Sequence, residues 1–538
     1  MSAPEKVALI VLVKNQLEVV ASIKQVRYAA KHVLIGFHMN QKYQKPLPFE
    51  GPNLGRKGSS SLLRFCKNLL LHTCIMPIVN SKICGKRLFK FLATSGLVAL
   101  VIYIYVTKHP CCQFARTLLF EDPLVNFDSP TNLNHTVFAI SGSRNTWTNR
   151  RWYVEAWWRP NKTRGYVFMD EAPIEHLPWP SSSPPLRIPD NNSSLPTAIR
   201  MLRIIEDAFK EESKGEVRWF VMADDDTFLL VDNLMEVLSK YDHGKYFYIG
   251  MSSECVAPNW ITSFEMAFGG AGFALSYPLA KSLAKNMDSC IERYHPTLLR
   301  SDHMLQSCIA DLGVPLTKEK GFHQMDFHGD ISGFLSAHPQ TPLLSLHRLH
   351  ATNPIFPSMD HKNSTRNLIR AAKLDESRLL QQSICYYHIK NWSISVSWGY
   401  TVQIYQEFIP PSILHRPIAT FAEWMRGAQP PFMFNSRNLP KNPCEAPNVL
   451  YFDSVGENRG NHFVTTIYTK KGSLPDCSSS RINGSFEHIS KAHVLSPRRR
   501  LQTGGGSRRE CCEVVELVGM GSLLGVKLRD CMKDEMVH

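Results

Sequence analysis

The order of apolar and polar positions divides the chain into one long apolar run and, later, short apolar strings alternating with amphipathic stretches. The run Phe89 to Val106 reads FKFLATSGLVALVIYIYV and holds one charge, Lys90, near its start. As a helix it rises about 27 Å, close to a hydrocarbon core of about 30 Å, so a transmembrane helix is predicted over 89–107. From Asn132 onward the period changes. Thr136–Ser141 (TVFAIS), Gly165–Met169 (GYVFM), Val217–Ala223 (VRWFVMA) and Tyr246–Gly250 read as short buried strands. Between them, Asn145–Trp158 sets Trp152, Tyr153, Ala156 and Trp157 at helical spacing. Leu195–Glu212 sets Ile199, Leu202, Ile205 and Phe209 on one helix face, and Phe228–Tyr241 reads as a further helix. Pro178–Ser194, rich in Pro, Ser and Asn, and the basic, Gly-containing Pro497–Arg509 read as loops. Strands alternating with helices predict an α/β layer on a largely parallel sheet, with ligands bound beyond the C-terminal strand ends.

The chain has 538 residues and is 43% hydrophobic, enough for a large core, which excludes a mainly disordered protein. Net charge is +14, yet residues 1–110 hold 16 Lys/Arg against 3 Asp/Glu, so the rest is near neutral. A nucleic-acid-binding enzyme would carry that charge on its folded body, so no nucleic-acid partner is expected. Lys82, Lys86, Arg87 and Lys90 precede the apolar run and only Lys108 closely follows. This asymmetry predicts a cytosolic N-terminus and a lumenal body. Glycosylation sequons start at Asn134, Asn161, Asn191, Asn192, Asn363, Asn391 and Asn483, all after the run, in agreement with that topology. Nine of the 14 Cys lie at or beyond Cys255. Nine is odd and their pairing is not deducible. The absence of a C-x-x-C pair argues against zinc ribbons and thioredoxin-type redox chemistry, and the vicinal Cys511–Cys512 reads as structural.

Candidate chemistry concentrates at Asp224-Asp225-Asp226, directly after an apolar strand. Two like charges 4 Å apart cost about 4 kcal/mol at an effective dielectric near 20, and a divalent cation would offset this. The competing reading is a solvated turn that caps the helix after Thr227.

WFVMADDDTFL (Trp219–Leu229) resembles the D-x-D region of Fringe and core-1 galactosyltransferase relatives in glycosyltransferase family 31. Three further blocks follow in the same order. Phe268–Ser276 (FGGAGFALS) resembles the Gly-rich acceptor-side loop and following helix. Ser301–Asp326 resembles the segment with the catalytic acid, and Leu344–Leu349 (LSLHRL) the strand with a metal-binding His. NWSISVSWGY (Asn391–Tyr400), PFMFNSR (Pro431–Arg437) and RRECCEV (Arg508–Val514) resemble plant Fringe-related proteins with a long C-terminal extension. The resemblance covers roughly residues 130–520, and residues 1–65 lie outside it. It implies a GT-A-type nucleotide-sugar fold, with a Rossmann-like central sheet and flanking helices. The expected order is a basic cytosolic segment (1–88), a signal anchor (89–107), a stem (108–131), a catalytic domain (132–350) and the extension (351–538).

The resemblance further implies a type II Golgi membrane protein that moves a sugar from a UDP-sugar to a glycan or glycoconjugate hydroxyl, with β1,3 linkages suggested. Asp226 and His347 would bind Mn²⁺ or another divalent cation, whose oxygen and imidazole preferences they suit. Asp224 would lie near the ribose or reach the metal through water, and Asp225 is left open. Asp302 would be the general base of a single inverting displacement. Its alternative is capping a helix over Asp302–Leu312. Many relatives have an acidic residue before this base, and here Ser301 stands there. Asp326 and Asp330 are reserve candidates. Ser141 and Gly142 would border the nucleotide, with Arg144 or Arg150 on phosphate. Gly269, Gly270 and Gly272 would let backbone approach a sugar. Trp260 and Phe268 are candidates for an apolar sugar platform, against an ordinary core role. Two other classes compete: a catalytically silent lumenal glycan-binding or assembly protein of the same fold, and a hydrolase using the Asp/His cluster. The second needs more protein ligands than the motifs supply.

Overall fold

The computed structural model describes residues 129–190, 195–212, 215–457, 463–472, 488–498, 509–516 and 523–537. All lie in the second of two compact units, Leu124–His538. The apolar run at 89–107, the basic segment before it and nearly all of the expected stem lie outside the described residues. Among the described residues no helix is long and apolar enough to cross a membrane.

Strand β1 (Thr136–Ser141) enters at the centre of the sheet, and helix α1 (Arg144–Trp157) follows it. Ser143, with extended backbone, starts α1 by accepting a hydrogen bond from the Asn145 N–H. Next come β2 (Arg164–Phe168), β3 (Leu186–Arg187), α2 (Thr197–Glu212), β4 (Trp219–Asp224), β5 (Thr227–Leu229) and α3 (Val231–Leu238). Then follow β6 (Tyr248–Gly250), α4 (Val256–Ile261), β7 (Phe273–Ser276), α5 (Tyr277–Tyr294), α6 (Ser301–Asp311) and β8 (Leu316–Lys318). The main sheet has the order β3-β2-β1-β4-β7-β6-β8. Its β3-β2-β1-β4 portion is parallel, while β7 runs antiparallel to both β4 and β6. The sheet is therefore mixed, and the fold is of the mixed α/β kind.

Side chains alternate along its strands, which sends them to two cores. Phe138 and Ile140 of β1, with Trp219 and Val221 of β4, face α1 and α3 through Trp147, Tyr153, Trp157 and Leu234. Val137, Ala139 and Phe220 face α2, α5 and α6 through Leu202, Ile205, Leu279 and Leu305.

Within Pro178–Ser194, read as a loop, Leu186 and Arg187 instead form the edge strand β3 against β2. Two further expectations fail. Phe228 and Leu229 are not helical: β5 pairs antiparallel with β10 (Ser345–His347), with Thr227 opposite His347. The stretch Phe273–Ser276, within the block likened to a loop and helix, is the strand β7, and the helix begins after it at Tyr277. Pairing partners distant in sequence decide both.

Beyond β9 (Phe327–Gly329), α7 (Ser332–Ala337), β10 and α8 (His361–Ala372) lies a second sheet. It contains β11 (Gln382–Tyr387), β12 (Trp392–Ser397) and β13 (Thr401–Tyr405). β14 (Phe421–Glu423) pairs instead with β9, so the extension is hydrogen-bonded into the part of the chain before it. The sheet continues with β15 (Asn448–Glu457), β16 (Phe463–Lys470), β17 (Lys491–Pro497), β18 (Glu510–Glu516) and β19 (Leu523–Asp530). Its order is β11-β12-β13-β15-β16-β17-β19-β18. The disulfide Cys385–Cys512 ties its two edge strands, and Cys511 pairs with Cys531, so the vicinal cysteines are structural. Cys290–Cys308 joins α5 to α6, and Cys255 is a buried free thiol. Trp398, Tyr400 and Phe452 of the extension share one core with Trp147 and Leu346.

Candidate active site

Backbone pairing brings the scattered motifs together. β4 ends at Asp224, and the next two carboxylates sit on the turn into β5. Because β5 pairs with β10, His347 lands beside that turn, its Nε2 3.3 Å from Asp226 Oδ1. Asp224, Asp226 and His347 offer ligand atoms that all lie within 4.8 Å of one another. Asp226 is 2% exposed, and its Oδ1 is a buried oxygen with no hydrogen-bond partner. A buried orphaned carboxylate oxygen facing an imidazole fits a divalent cation, since burying such an oxygen is costly without a partner.

The Gly-rich loop closes this cluster. A β-carbon on Gly270 would stand 2.3 Å from the His347 ring, and one on Gly269 would stand 2.8 Å from Asp302 Oδ1. Glycine at these positions is what lets the loop touch both side chains. Gly272 has φ +82°, a conformation open to glycine at no steric cost. Thr227 links the parts: its Oγ1 accepts from the Asp224 N–H at 3.0 Å and donates to Gly270 O at 2.8 Å. Gln324 does the same from the other side. Its Oε1 accepts from the Ala271 N–H at 2.8 Å, and its backbone carbonyl lies 3.3 Å from His347 Nδ1. Such an outer contact fixes the ring's orientation. Thr227 and Gln324 were not found from sequence; Thr227 sits at the end of the D-D-D string, which is its only local signal.

Asp302 lies in the first turn of α6, partly buried, with Ser301 before it. The cap position belongs to Arg300, so the capping alternative for Asp302 is set aside. Burial pushes its pKa up, against a hydrogen bond from the Gly269 backbone and the nearby His347. Asp302 shares a small cavity of about 30 Å³ with Asp224, Gly269 and Ser141. Gly142 follows Ser141, just past the end of β1.

The remaining candidates separate. Asp225 is tied to α1, accepting from Thr146 Oγ1 at 2.7 Å and Arg150 Nη1 at 3.1 Å. Arg150 also lies 3.1 Å from Asp226 Oδ2, so of the two arginines it is the one beside the triplet. Arg144 is turned to the surface, where it pairs with Glu171 at 3.0 Å. It does not reach the site: it starts the helix on a different face from Thr146 and Arg150, which are four residues apart. Phe268 is 6% exposed and belongs to the core, so it offers no platform, whereas Trp260 is 78% exposed. Asp330 is exposed and holds the start of α7 through Ser332. Asp326 remains near His347, its carboxylate accepting from Ser253 Oγ at 2.7 Å.

Charge sets the ionisation of the cluster. Burial and the neighbouring Asp226 push Asp224 up to about 7. Asp225 rises to about 6, through burial and Asp226 again. Burial works against Asp226, yet the facing His347 imidazole, together with Arg150, brings it down to about 2. This has a consequence for stability. Asp224 binds its proton more tightly in the folded state than at its ordinary value of 3.8. Its contribution is full below that value and is lost as pH rises toward about 7. The metal-free protein is therefore expected to melt at a lower temperature at about pH 8 than at about pH 5. Asp224→Asn should flatten part of that slope, and added Mn²⁺ should stabilise more at the higher pH. Thermal melts with and without the cation check this; a Mn²⁺ effect independent of pH would count against it.

Residues 131–350 match the family described as Fringe-like, and residues 258–512 match one described as "Protein of unknown function, DUF604". The first part of the described residues thus carries a Fringe-like domain match. The two matches overlap over residues 258–350. Over 121 residues, 22% of this chain, the sequence is 29% identical to a β-1,3-glucosyltransferase of Homo sapiens. The counterpart in Mus musculus is 29% identical over the same length. The chain matches 23% of the length of these curated relatives. Among solved structures, an active-site mutant of LgtC is 12% identical, with a TM-score of 0.27, over 43% of this chain and 93% of that one. The glycosyltransferase GlyE of Streptococcus pneumoniae TIGR4 is 12% identical, with a TM-score of 0.25, over 34% of this chain and 45% of that one.

Proposed function

We propose that this Fringe-like protein is a metal-dependent, inverting hexosyltransferase that moves a sugar from a UDP-sugar to a hydroxyl of a glycan or glycoconjugate. The observation that carries the reading is the meeting of Asp226, His347, Asp224 and Asp302 around one Gly-rich loop. The matched relatives are β-1,3-glucosyltransferases, which supports transfer in a β1,3 linkage.

In this reading Asp226 and His347, with Asp224 beside them, would hold a divalent cation such as Mn²⁺. Bound there, the cation would neutralise charge developing on the departing diphosphate. Asp302 takes the proton from the acceptor hydroxyl as that oxygen attacks the anomeric carbon from the face opposite the leaving group, so one base suffices. The raised pKa of Asp302 makes its carboxylate a better proton acceptor than an ordinary one. Gly269 holds that carboxylate through backbone, leaving room that any side chain would fill. Ser141 and Gly142 border the nucleotide side and Trp260 the acceptor side. Lysine and arginine asymmetry around residues 89–107, and sequons confined to the region after it, support a type II Golgi protein with a lumenal body.

The test is UDP release by the purified protein across a panel of UDP-sugars, with and without Mn²⁺. Metal-dependent release with one donor is the expected result. Glycan binding with no turnover on any donor would favour a silent binding protein instead.

A further inference from the structure

Arg348 directly follows His347, and its N–H donates to Asp226 O at 3.2 Å. Its backbone is left-handed, φ 52°, a region that residues with a β-carbon seldom occupy. That turn sends its side chain away from the line of β10. The guanidinium carbon comes to rest 4.5 Å from the ring centroid of Trp424. Arg348 Nε is buried without a hydrogen-bond partner, and among the described residues the guanidinium has no ion pair. Arg150, the arginine beside the triplet, is by contrast neutralised by Asp225 and Asp226. Arg348 is thus an uncompensated cation one residue from a candidate metal ligand.

Trp424 is supplied by the extension and held firmly. Its N–H donates to Asp326 O at 2.7 Å, it follows the β14 strand that pairs with β9, and the His328 ring stacks on it at 4.2 Å. Stacking engages the flat face of a guanidinium and leaves its N–H edge free. That edge matches phosphate oxygens, and the weak hydration of a guanidinium suits such a half-buried place.

We propose that Arg348 contacts the diphosphate of the nucleotide donor and that Trp424 of the extension holds it in position. The inference rests on the transferase reading above and deepens it: the extension becomes part of the donor site. His347 would help hold the cation, and Arg348 is joined to the same turn through its backbone contact with Asp226.

Calorimetric titration of the full chain with UDP, and separately with UMP, in the presence of Mn²⁺ tests this. Arg348→Met is expected to weaken UDP binding by about tenfold or more and UMP binding much less, because the lost partner is the second phosphate. Arg348→Lys should recover part of the loss. Trp424→Ala should weaken UDP by a smaller factor while leaving Mn²⁺ affinity unchanged, which a merely unfolded variant could not do. UDP binding by Arg348→Met as tight as that of the unaltered protein overturns the proposal alone. Failure of the unaltered protein to bind UDP overturns the donor reading beneath it as well.

Discussion

His347→Ala and Asp226→Ala are each expected to lower sugar transfer by about a thousandfold and to remove tight divalent-cation binding, the scale set by losing a group that stabilises developing charge. The two side chains come from strands β5 and β10 or the turn beside them, and meet at 3.3 Å. His350 Nε2 stands 3.9 Å from Asp226, on the far oxygen from His347. The Asp226 variant should stay folded, because Arg150 keeps Asp225 as its partner. The control is Asp225→Asn, which loosens the tie between the triplet and α1 and should cost stability more than cation affinity. Titration of Mn²⁺ by electron paramagnetic resonance, alongside transfer assays, separates these outcomes. Unchanged Mn²⁺ affinity in a folded Asp226→Ala protein would remove the metal assignment.

What could be read from sequence follows a physical division. β1 was legible to the residue because its apolar string is short, fully buried and stopped by Gly142. α1 and α2 were legible within a residue or two because a 3.6 period is local. Phe228 and Leu229 misled: their spacing suits the following helix, but pairing with a strand over a hundred residues away claims them. The antiparallel β7 in an expected parallel sheet has the same cause. A short apolar string carries no mark of its direction.

At the site, the carboxylates and His347 were visible as motifs, and the turn chemistry of the triplet as a charge problem. Their bracing was not. Gln324 acts through a side-chain amide and a backbone carbonyl, functions that any residue string could hide. The choice between Arg144 and Arg150 needed the helix face that meets the triplet, which Thr146 and Arg150 share. The extension was named by resemblance, yet its β14 strand, pairing with β9 beside Asp326, has no local signature at all.

Asp302→Asn is expected to cut turnover by about a hundred- to ten-thousandfold, the range for loss of a positioned general base, with donor and Mn²⁺ binding retained. Asparagine keeps the shape and can still meet the Gly269 backbone, but it cannot take the acceptor proton. The pH profile gives the second readout. Burial holds the Asp302 pKa above its ordinary 3.8, so turnover should rise with pH as the carboxylate ionises and then level off. In the Asn variant the residual rate should lose that rise. Asp302→Glu should recover little, because the space against Gly269 is already filled: a β-carbon there would sit 2.8 Å from the present carboxylate. If Asp302→Asn keeps full turnover with an unchanged profile, the base must be sought at Asp326. That carboxylate is also raised by burial and lies near His347, but it is engaged by Ser253 and Gln324. Asp326→Asn tested beside Asp302→Asn decides between them, since only the true base carries the pH-dependent limb with it.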